Sequence, residues 1–280
     1  MGRRWPCAAG TFYPADPRRL REEIEAALGR GSLTLTAQAL PNPVGAILPH
    51  AGYRYSGAVA GAGYRALARL GPPEAAIILG TNHTGLGGPI TVAEPGIWDT
   101  PLGEVPVPAL LSREVAEAIG ADQDDVPFAD EHSVEVQLPF LRYLFPRLPV
   151  VPVVVHPLSM ARSKEAGAAL GRLVAHRPLL LIASSDFTHY EPDPVAREKD
   201  RRALVPILNL DVDGFYDAVL RHRISICGVG AIALLLVAAR EAGLLGAALL
   251  DYRTSGEVGG QLDQVVGYAA VLFQRVDDVA

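Results

Sequence analysis

The chain has 280 residues, of which 49% are hydrophobic and 20% charged, a composition typical of a folded globular protein and unlike that of a disordered chain. Its 25 Lys and Arg against 31 Asp and Glu give a formal net charge of −6, which argues against a protein that binds nucleic acid through a basic face. The two cysteines, Cys7 and Cys227, are too few for a disulfide framework, so we expect a reducing compartment.

The sequence shows no sign of a membrane-bound or exported protein. The apolar stretch Ile224 to Ala239, which contains no charged residue, is shorter than the ~20 apolar residues that span a bilayer. The basic start at Gly2-Arg-Arg runs into Gly10-Thr-Phe-Tyr-Pro rather than into an apolar signal segment. We therefore expect a cytoplasmic protein with no membrane partner.

Short apolar runs alternate along the chain with longer stretches of helical periodicity. In chain order, the predicted strands are Val44–Pro49, Ala75–Gly80, Val150–Val155, Leu179–Ser184, Ala247–Tyr252 and Val265–Phe273. The predicted helices that precede, separate or follow them are Asp16–Leu28, Ser56–Leu70, Ser112–Ile119, Glu131–Phe145, Ser159–Ala175, Pro194–Leu208 and Gly228–Ala242. The central runs are apolar on both faces, as in strands that helices cover on both sides. This alternation predicts a single α/β domain over residues 1–280, a three-layer α/β/α sandwich around a mixed, largely parallel sheet.

Chemically active side chains follow three of these predicted strands. His50 follows the first strand, His83 follows the second, and the pair Asp186 and His189 follows the strand that ends at Ser184. Ligands of α/β sheets bind in the crevice outside the carboxyl ends of the strands, so we expect these side chains to converge there. Two histidines in such a crevice fit metal ligands, and they also fit an acid/base couple without metal, because imidazole titrates near neutrality.

Cys227 precedes a predicted apolar helix. A thiol near a helix N-terminus has a lowered pKa, which favours a role as metal ligand or nucleophile, although a buried cysteine also packs as a small apolar residue. Imidazole together with thiolate suits zinc, copper or iron. Cys7 has no comparable setting, and we interpret His156, His176 and His222 as structural or surface residues.

Further candidates lie near the start of the predicted helix Glu131–Phe145 and after Ser184. His132 faces the same crevice and has a role in the site, or it is an ordinary structural residue, and both interpretations stay open. We interpret Glu131, Glu135 and Gln137 as solvated or helix-capping side chains. Asp186 and His189 are spaced like a hydrogen-bonded pair that orients a proton donor, or like a turn in which the aspartate satisfies backbone groups.

Several segments of the sequence resemble motifs of the Memo family, whose bacterial and archaeal members are called AmmeMemoRadiSam system protein B. They occur in the family's order and extend over essentially the whole chain. The matching motifs are Ala9-Gly-Thr-Phe-Tyr-Pro14, Pro49-His-Ala-Gly-Tyr-Arg-Tyr-Ser-Gly57, Leu79-Gly-Thr-Asn-His83, Asp130-Glu-His-Ser-Val-Glu-Val-Gln-Leu-Pro-Phe140, Ser184-Ser-Asp-Phe-Thr-His189, Ile226-Cys-Gly228 and the final Val266-Gly-Tyr-Ala-Ala.

The resemblance implies a fold like that of the class III extradiol dioxygenases and an iron or copper ion, with zinc as a further option. Carried over by motif, the ligands are His50, His83 and Cys227, and the surrounding catalytic candidates are His132, Asp186 and His189. The dioxygenases have a carboxylate where this family has cysteine, so ring cleavage does not follow from the shared fold.

Two classes of function therefore stay open at the level of sequence. The first is a metal-dependent redox protein in which His189, oriented by Asp186, transfers protons and His132 donates or accepts a hydrogen bond. The second is a non-enzymatic module that captures a peptide or another protein in the same cleft.

The family name also implies AMMECR-type and radical-SAM proteins as partners. Metal-assisted hydrolysis would need the same site, but no motif for gripping a phosphate or acyl group accompanies it.

Overall fold

The computed structural model describes residues 2–29, 38–40 and 42–275. The strands are β1 Gly2–Arg4, β2 Val44–Leu48, β3 Ala75–Thr81, β4 Ile90–Val92, β5 Gly96–Thr100, β6 Gly103–Val107, β7 Asp122–Gln123, β8 Val150–Val155, β9 Leu179–Ser184, β10 His189–Glu191, β11 Gly246–Thr254 and β12 Val265–Gln274. The helices are α1 Pro17–Ala27, α2 Tyr53–Leu70, α3 Ala109–Ile119, α4 Leu138–Leu144, α5 Met160–Val174, α6 Asp193–Leu208, α7 Val212–His222, α8 Val229–Glu241 and α9 Gly256–Gly259. Within these described ranges, no helix combines the length and the apolar character needed to cross a membrane.

A large mixed sheet forms the middle of the molecule. Its centre is four parallel strands in the order β2, β9, β3 and β8, with Leu48 level with Ser184 and Leu79 level with Ala183. Antiparallel strands flank this centre, with β12 beside β2 and β4 beside β8. A separate three-stranded sheet has the order β1, β5, β6. The predicted mixed, largely parallel sheet is thus confirmed.

Two apolar cores cover the two faces of the large sheet. Because side chains alternate along a strand, Ile77 and Leu79 of β3 enter one core while Ala76 and Ile78 enter the other. The first core receives the buried faces of α3, α5, α6, α7 and α8. The second receives α1, α2, α4 and the small sheet. This arrangement confirms the predicted three-layer α/β/α architecture and explains why the central strands are apolar on both sides.

The structure corrects the predicted helix Glu131–Phe145. Residues 131–134 form a loop, a single 3₁₀ turn covers Glu135–Gln137, and α4 begins only at Leu138, followed by Pro139 in its first turn. The carboxylate of Glu131 accepts the backbone N–H of Ser133 at 2.8 Å, which holds the chain in a turn where the periodicity predicted a helix.

The sequence patterns also missed several short elements. The hairpin of β5 and β6 alternates in burial, but Pro95, Pro101 and Pro106 interrupt the apolar pattern around it. Helix α7 buries only Val212, Phe215 and Tyr216, so its apolar stripe is narrow. Tertiary packing contributes more than local propensity to the stability of such short elements.

The carboxyl ends of β2, β3 and β9 lie together at one edge of the sheet, as the sequence predicted. The start of α8 reaches the same edge, because the backbone N–H of Gly228 donates to Ser185 Oγ at 2.9 Å. This contact brings Cys227 beside the ends of strands that lie about forty or more residues earlier in the chain.

Candidate metal centre

His50 lies directly beyond the end of β2 and is only 2% exposed. Its two ring nitrogens have different neighbours. Nδ1 lies 3.1 Å from Ser184 Oγ, at the end of β9. Nε2 lies 3.3 Å from the sulfur of Cys227. The ring is therefore held from behind by the sheet and presents Nε2 to the cleft.

His83 follows β3 and is held by a fully buried carboxylate. Its Nδ1 lies 2.9 Å from Glu131 Oε1, and its backbone N–H donates to Glu131 Oε2 at 2.6 Å. The side chain of His83 is 35% exposed, whereas that of Glu131 is fully buried. A carboxylate on one nitrogen fixes the tautomer of a histidine and leaves the other nitrogen for a metal, so Nε2 is the ligand atom of His83.

The loop that carries Glu131 approaches β3 closely because residue 80 is glycine. A Cβ at Gly80 would lie 2.6 Å from both Ser133 Oγ and Val134 Cγ2. Ser133 Oγ uses this proximity to donate to the carbonyl oxygen of Thr81 at 2.8 Å. Glycine at this strand end thus allows the loop with Glu131 and His132 to form one wall of the centre.

Cys227 completes the group from the residue before the start of α8. Its sulfur lies 3.2 Å from the backbone nitrogen of Asp186, which donates to it, and 3.7 Å from Thr81 Oγ1. Burial opposes ionisation of the thiol, but the neighbouring imidazoles of His50 and His83 outweigh burial and hold the pKa of Cys227 well below its usual value. The sulfur is therefore a thiolate at neutral pH.

One ligand atom from each of His50, His83 and Cys227 lies within 4.8 Å of the other two. With metal–sulfur and metal–nitrogen bonds of about 2.3 and 2.1 Å, two ligand atoms of one ion stand about 3.1–3.8 Å apart for bond angles of 90–120°. The distance of 3.3 Å between His50 Nε2 and Cys227 Sγ falls in this range. Two imidazoles and a thiolate in this arrangement fit a transition-metal ion.

Without an ion, the thiolate is balanced by protons on the two histidines. Burial by itself would lower the pKa of His50, but the Cys227 thiolate and the Asp186 carboxylate raise it to about 9. For His83, burial also acts downward, and contacts with Cys227 and Glu131 raise the pKa to about 10. Protons and a metal ion therefore compete for the same nitrogens.

His132 lies in the crevice, beside the two ligand histidines. Its ring stacks between Phe12 at 4.3 Å and His83 at 4.6 Å, measured between ring centroids, and meets the edge of His50 at 5.4 Å. Burial and the neighbouring His50 and His83 lower the pKa of His132 to about 4. The imidazole is thus neutral at pH 7. A second group of close ligand atoms joins His132 with His83 and Glu131.

Asp186 and His189 lie beside the centre but are not joined in the way the spacing predicted. Asp186 Oδ1 accepts the backbone N–H of His50 at 2.8 Å and that of Ala51 at 3.3 Å. His189 Nδ1 instead lies 2.8 Å from the carbonyl oxygen of Ser225. Asp186 therefore positions the loop that carries His50, through backbone groups distant in the chain rather than within its own turn, and Ser225 rather than Asp186 orients His189.

The structure buries three side chains near the metal centre that the sequence pattern indicated as solvated or helix-capping. Glu131, Glu135 and Gln137 are at most 1% exposed. Glu135 receives hydrogen bonds from Arg4 at 2.7 Å and Tyr13 at 2.6 Å, and it thereby anchors the N-terminal segment that places Phe12 against His132. Most of their partners lie tens of residues away, so the spacing of the acidic residues within one short segment carried no signal of this burial.

Cys7 and His156 take structural positions. The Cys7 sulfur lies 3.2 Å from Glu135 Oε2, and burial together with that carboxylate raises the pKa of the thiol to about 11. Asn82 Nδ2 lies 3.0 Å from His156 Nε2. Both agree with their interpretation as residues outside the ligand set.

The family model described as Memo-like protein matches residues 4–272. The chain belongs to the Memo family. This membership confirms the resemblance drawn from the motifs and covers nearly the whole chain.

Individual relatives agree with the Memo assignment. A MEMO1 family protein of Methanopyrus kandleri is 43% identical and covers 97% of this chain and 99% of its own length. Another, from Pyrobaculum arsenaticum, is 41% identical with the same coverage of both chains. The crystal structure of an uncharacterized protein from Escherichia coli K12 is similar with a TM-score of 0.55, at 15% identity over 82% of this chain and 98% of that one, which shows a shared fold.

Proposed function

We propose that this Memo-family protein binds one iron or copper ion through His50, His83 and Cys227 and acts as a metal-dependent redox protein of the cytoplasm. The observation that carries the proposal is the convergence of two imidazole nitrogens and one thiolate within 4.8 Å. The three residues come from loops separated by more than thirty residues each, and each is fixed by hydrogen bonds that leave one ligand atom facing the others.

The chemistry of the donors supports iron or copper. Imidazole suits iron, copper and zinc, and a thiolate favours softer ions and tunes their reduction potential. Iron or copper held there would supply one-electron chemistry to a substrate in the cleft. Zinc fits the same donors without redox activity, which makes elemental analysis the first measurement to perform.

The side chains around the ligands support a role in proton handling. His132 is neutral at pH 7 and stands against the ring of His83, so its imidazole can donate a hydrogen bond to, or accept one from, a molecule bound in the cleft. His189 lies near enough to lower the pKa of Cys227, and its Nδ1 is occupied by the Ser225 carbonyl, which leaves Nε2 to face other groups. Asp186 fixes the backbone at His50.

The ligand assignment is tested by metal analysis of two double variants. Purified wild-type protein should contain about one equivalent of iron or copper, and His50→Ala with Cys227→Ala should contain none. The matched control is Cys7→Ala with His222→Ala, which makes the same two changes outside the ligand set and should keep the metal. Wild-type metal content in the His50 and Cys227 variant would refute the assignment.

Redox activity is tested separately with metal-loaded protein. Oxygen consumption with a panel of catechols and other phenols should depend on the metal and disappear in the His50 and Cys227 variant. A loaded centre that turns over no substrate would favour the second function, a module that binds a peptide or protein in this cleft. We also propose AMMECR-type and radical-SAM proteins as partners, as the resemblance drawn from the motifs implies, and co-purification from a native host would test them.

A further inference from the structure

Ser184 makes an unusually complete set of hydrogen bonds at the end of β9. Its hydroxyl oxygen lies 2.6 Å from the carbonyl oxygen of Ser133, 2.8 Å from Gln137 Nε2 and 3.1 Å from His50 Nδ1. The residue is fully buried. Protein groups therefore account for the three hydrogen bonds that a serine hydroxyl can make, one as donor and two as acceptor.

The direction of each bond follows from the chemistry of its partner. The Ser133 carbonyl can only accept, so the single hydroxyl proton of Ser184 is committed to it. The amide of Gln137 has one orientation, because its Nε2 faces the carbonyl oxygen of Pro49 at 2.9 Å while its Oε1 accepts from Tyr64 at 2.8 Å. Gln137 Nε2 therefore donates to Ser184 as well.

The remaining lone pair of Ser184 can only accept, so the proton in its contact with His50 must be on Nδ1. We infer that Ser184 is a positioning residue that fixes the Nδ1-protonated form of His50 and directs its Nε2 toward Cys227. The consequence for metal binding rests on the function proposed above. Ser184 thus accepts a hydrogen bond from Nδ1 of His50, as Glu131 does from Nδ1 of His83, but Ser184 is a neutral acceptor and Glu131 a carboxylate.

This difference makes the two histidines unequal ligands. A carboxylate on Nδ1 increases the electron donation of an imidazole more than a hydroxyl does, so His83 is the stronger donor and His50 the more ordinary imidazole. The neutral partner also keeps a second negative charge away from the buried side of the centre, where the Asp186 carboxylate already accepts from the backbone of His50.

The inference is tested first in the metal-free wild-type protein by ¹⁵N-histidine NMR, at a pH above the His50 pKa of about 9, where the ring carries a single proton. The Nδ1 proton of His50 should be observed and should exchange slowly with water, because Ser184 is buried behind it. A His50 ring without a proton on Nδ1, or with one that exchanges freely, would overturn the inference. This measurement needs neither bound metal nor a variant that folds.

The second measurement is the affinity for Co²⁺, followed by the thiolate-to-cobalt absorption of Cys227. Ser184→Ala should weaken Co²⁺ binding by about 10–100-fold, as loss of a partner of a ligating histidine does. The matched control Ser163→Ala removes another fully buried, hydrogen-bonded serine hydroxyl and should leave the affinity unchanged.

Equal Co²⁺ affinity in Ser184→Ala and wild type, with the His50 Nδ1 proton equally protected, would overturn the role of Ser184. Failure of the wild-type protein to bind Co²⁺ would instead refute the metal centre, and the NMR result would still decide which nitrogen of His50 carries the proton. The two failures are therefore distinguishable.

Discussion

Metal binding should release about two protons at pH 7.5, both from histidines. Cys227 is already a thiolate there, whereas His50 and His83, with pKa values of about 9 and about 10, each carry an extra proton in the metal-free protein. A metal ion needs both nitrogens unprotonated. If the cysteine and both histidines had their unperturbed pKa values, metal binding at pH 7.5 would release about one proton instead, from the cysteine.

The magnitude follows from the same values. At pH 7, proton competition weakens metal binding about a hundredfold at His50 and about a thousandfold at His83, since the pKa values are about 9 and about 10. The affinity should therefore rise with pH, by about two powers of ten per pH unit up to pH 9, more slowly to pH 10, and then level off.

Zinc is the appropriate probe because it is redox-inert. Calorimetric titration in two buffers of different ionisation enthalpy counts the released protons, and competition with a chromophoric chelator gives the affinity between pH 6 and pH 8. In Cys227→Ser the thiolate that raises both histidine pKa values is gone, so the pH dependence should become much shallower. A wild-type release of one proton or fewer at pH 7.5 would show that the charge distribution inferred for the centre is incorrect.

Three further variants test the surroundings of the centre. Glu131→Gln should weaken zinc binding by about 10–100-fold, measured by chelator competition, because the carboxylate partner of a ligand histidine is lost. Gly80→Ala should weaken binding and lower the melting temperature together, because its Cβ would displace the adjacent loop. Glu135→Gln should lower the free energy of unfolding in urea by about 3–5 kcal/mol, because it leaves the charge of Arg4 without its buried partner. The control Glu165→Gln, at an exposed glutamate, should change it by less than about 0.5 kcal/mol.

The arrangement of the strands illustrates what a sequence fixes locally. The runs that form β2, β3, β8 and β9 are apolar on both faces and have strand length, a pattern typical of strands covered on both sides. The carboxyl ends of parallel strands share one edge of the sheet, so the sequence alone predicts that His50 and His83 lie close together.

The helix predicted to begin at Glu131 shows where such inference ends. The same acidic residues would serve equally well as exposed residues in the first turn of a helix, and nothing within the segment distinguishes the two situations. Glu131 is buried because His83 supplies two donors to it, and Glu135 is buried because Arg4 and Tyr13 do so. Those donors are distant in the chain.

The amino-acid sequence by itself therefore determined the layered α/β architecture, the family and the identity of the residues that gather at one edge of the sheet. Periodicity and strand-end placement are properties of short segments, which is why they could be read directly. Only the tertiary structure decided which nitrogen of each histidine faces the sulfur, that Asp186 holds a backbone rather than His189, and that Ser184 accepts from His50. Hydrogen-bond directions and charge states depend on partners brought together from distant segments, and those partners become neighbours only when the chain has folded.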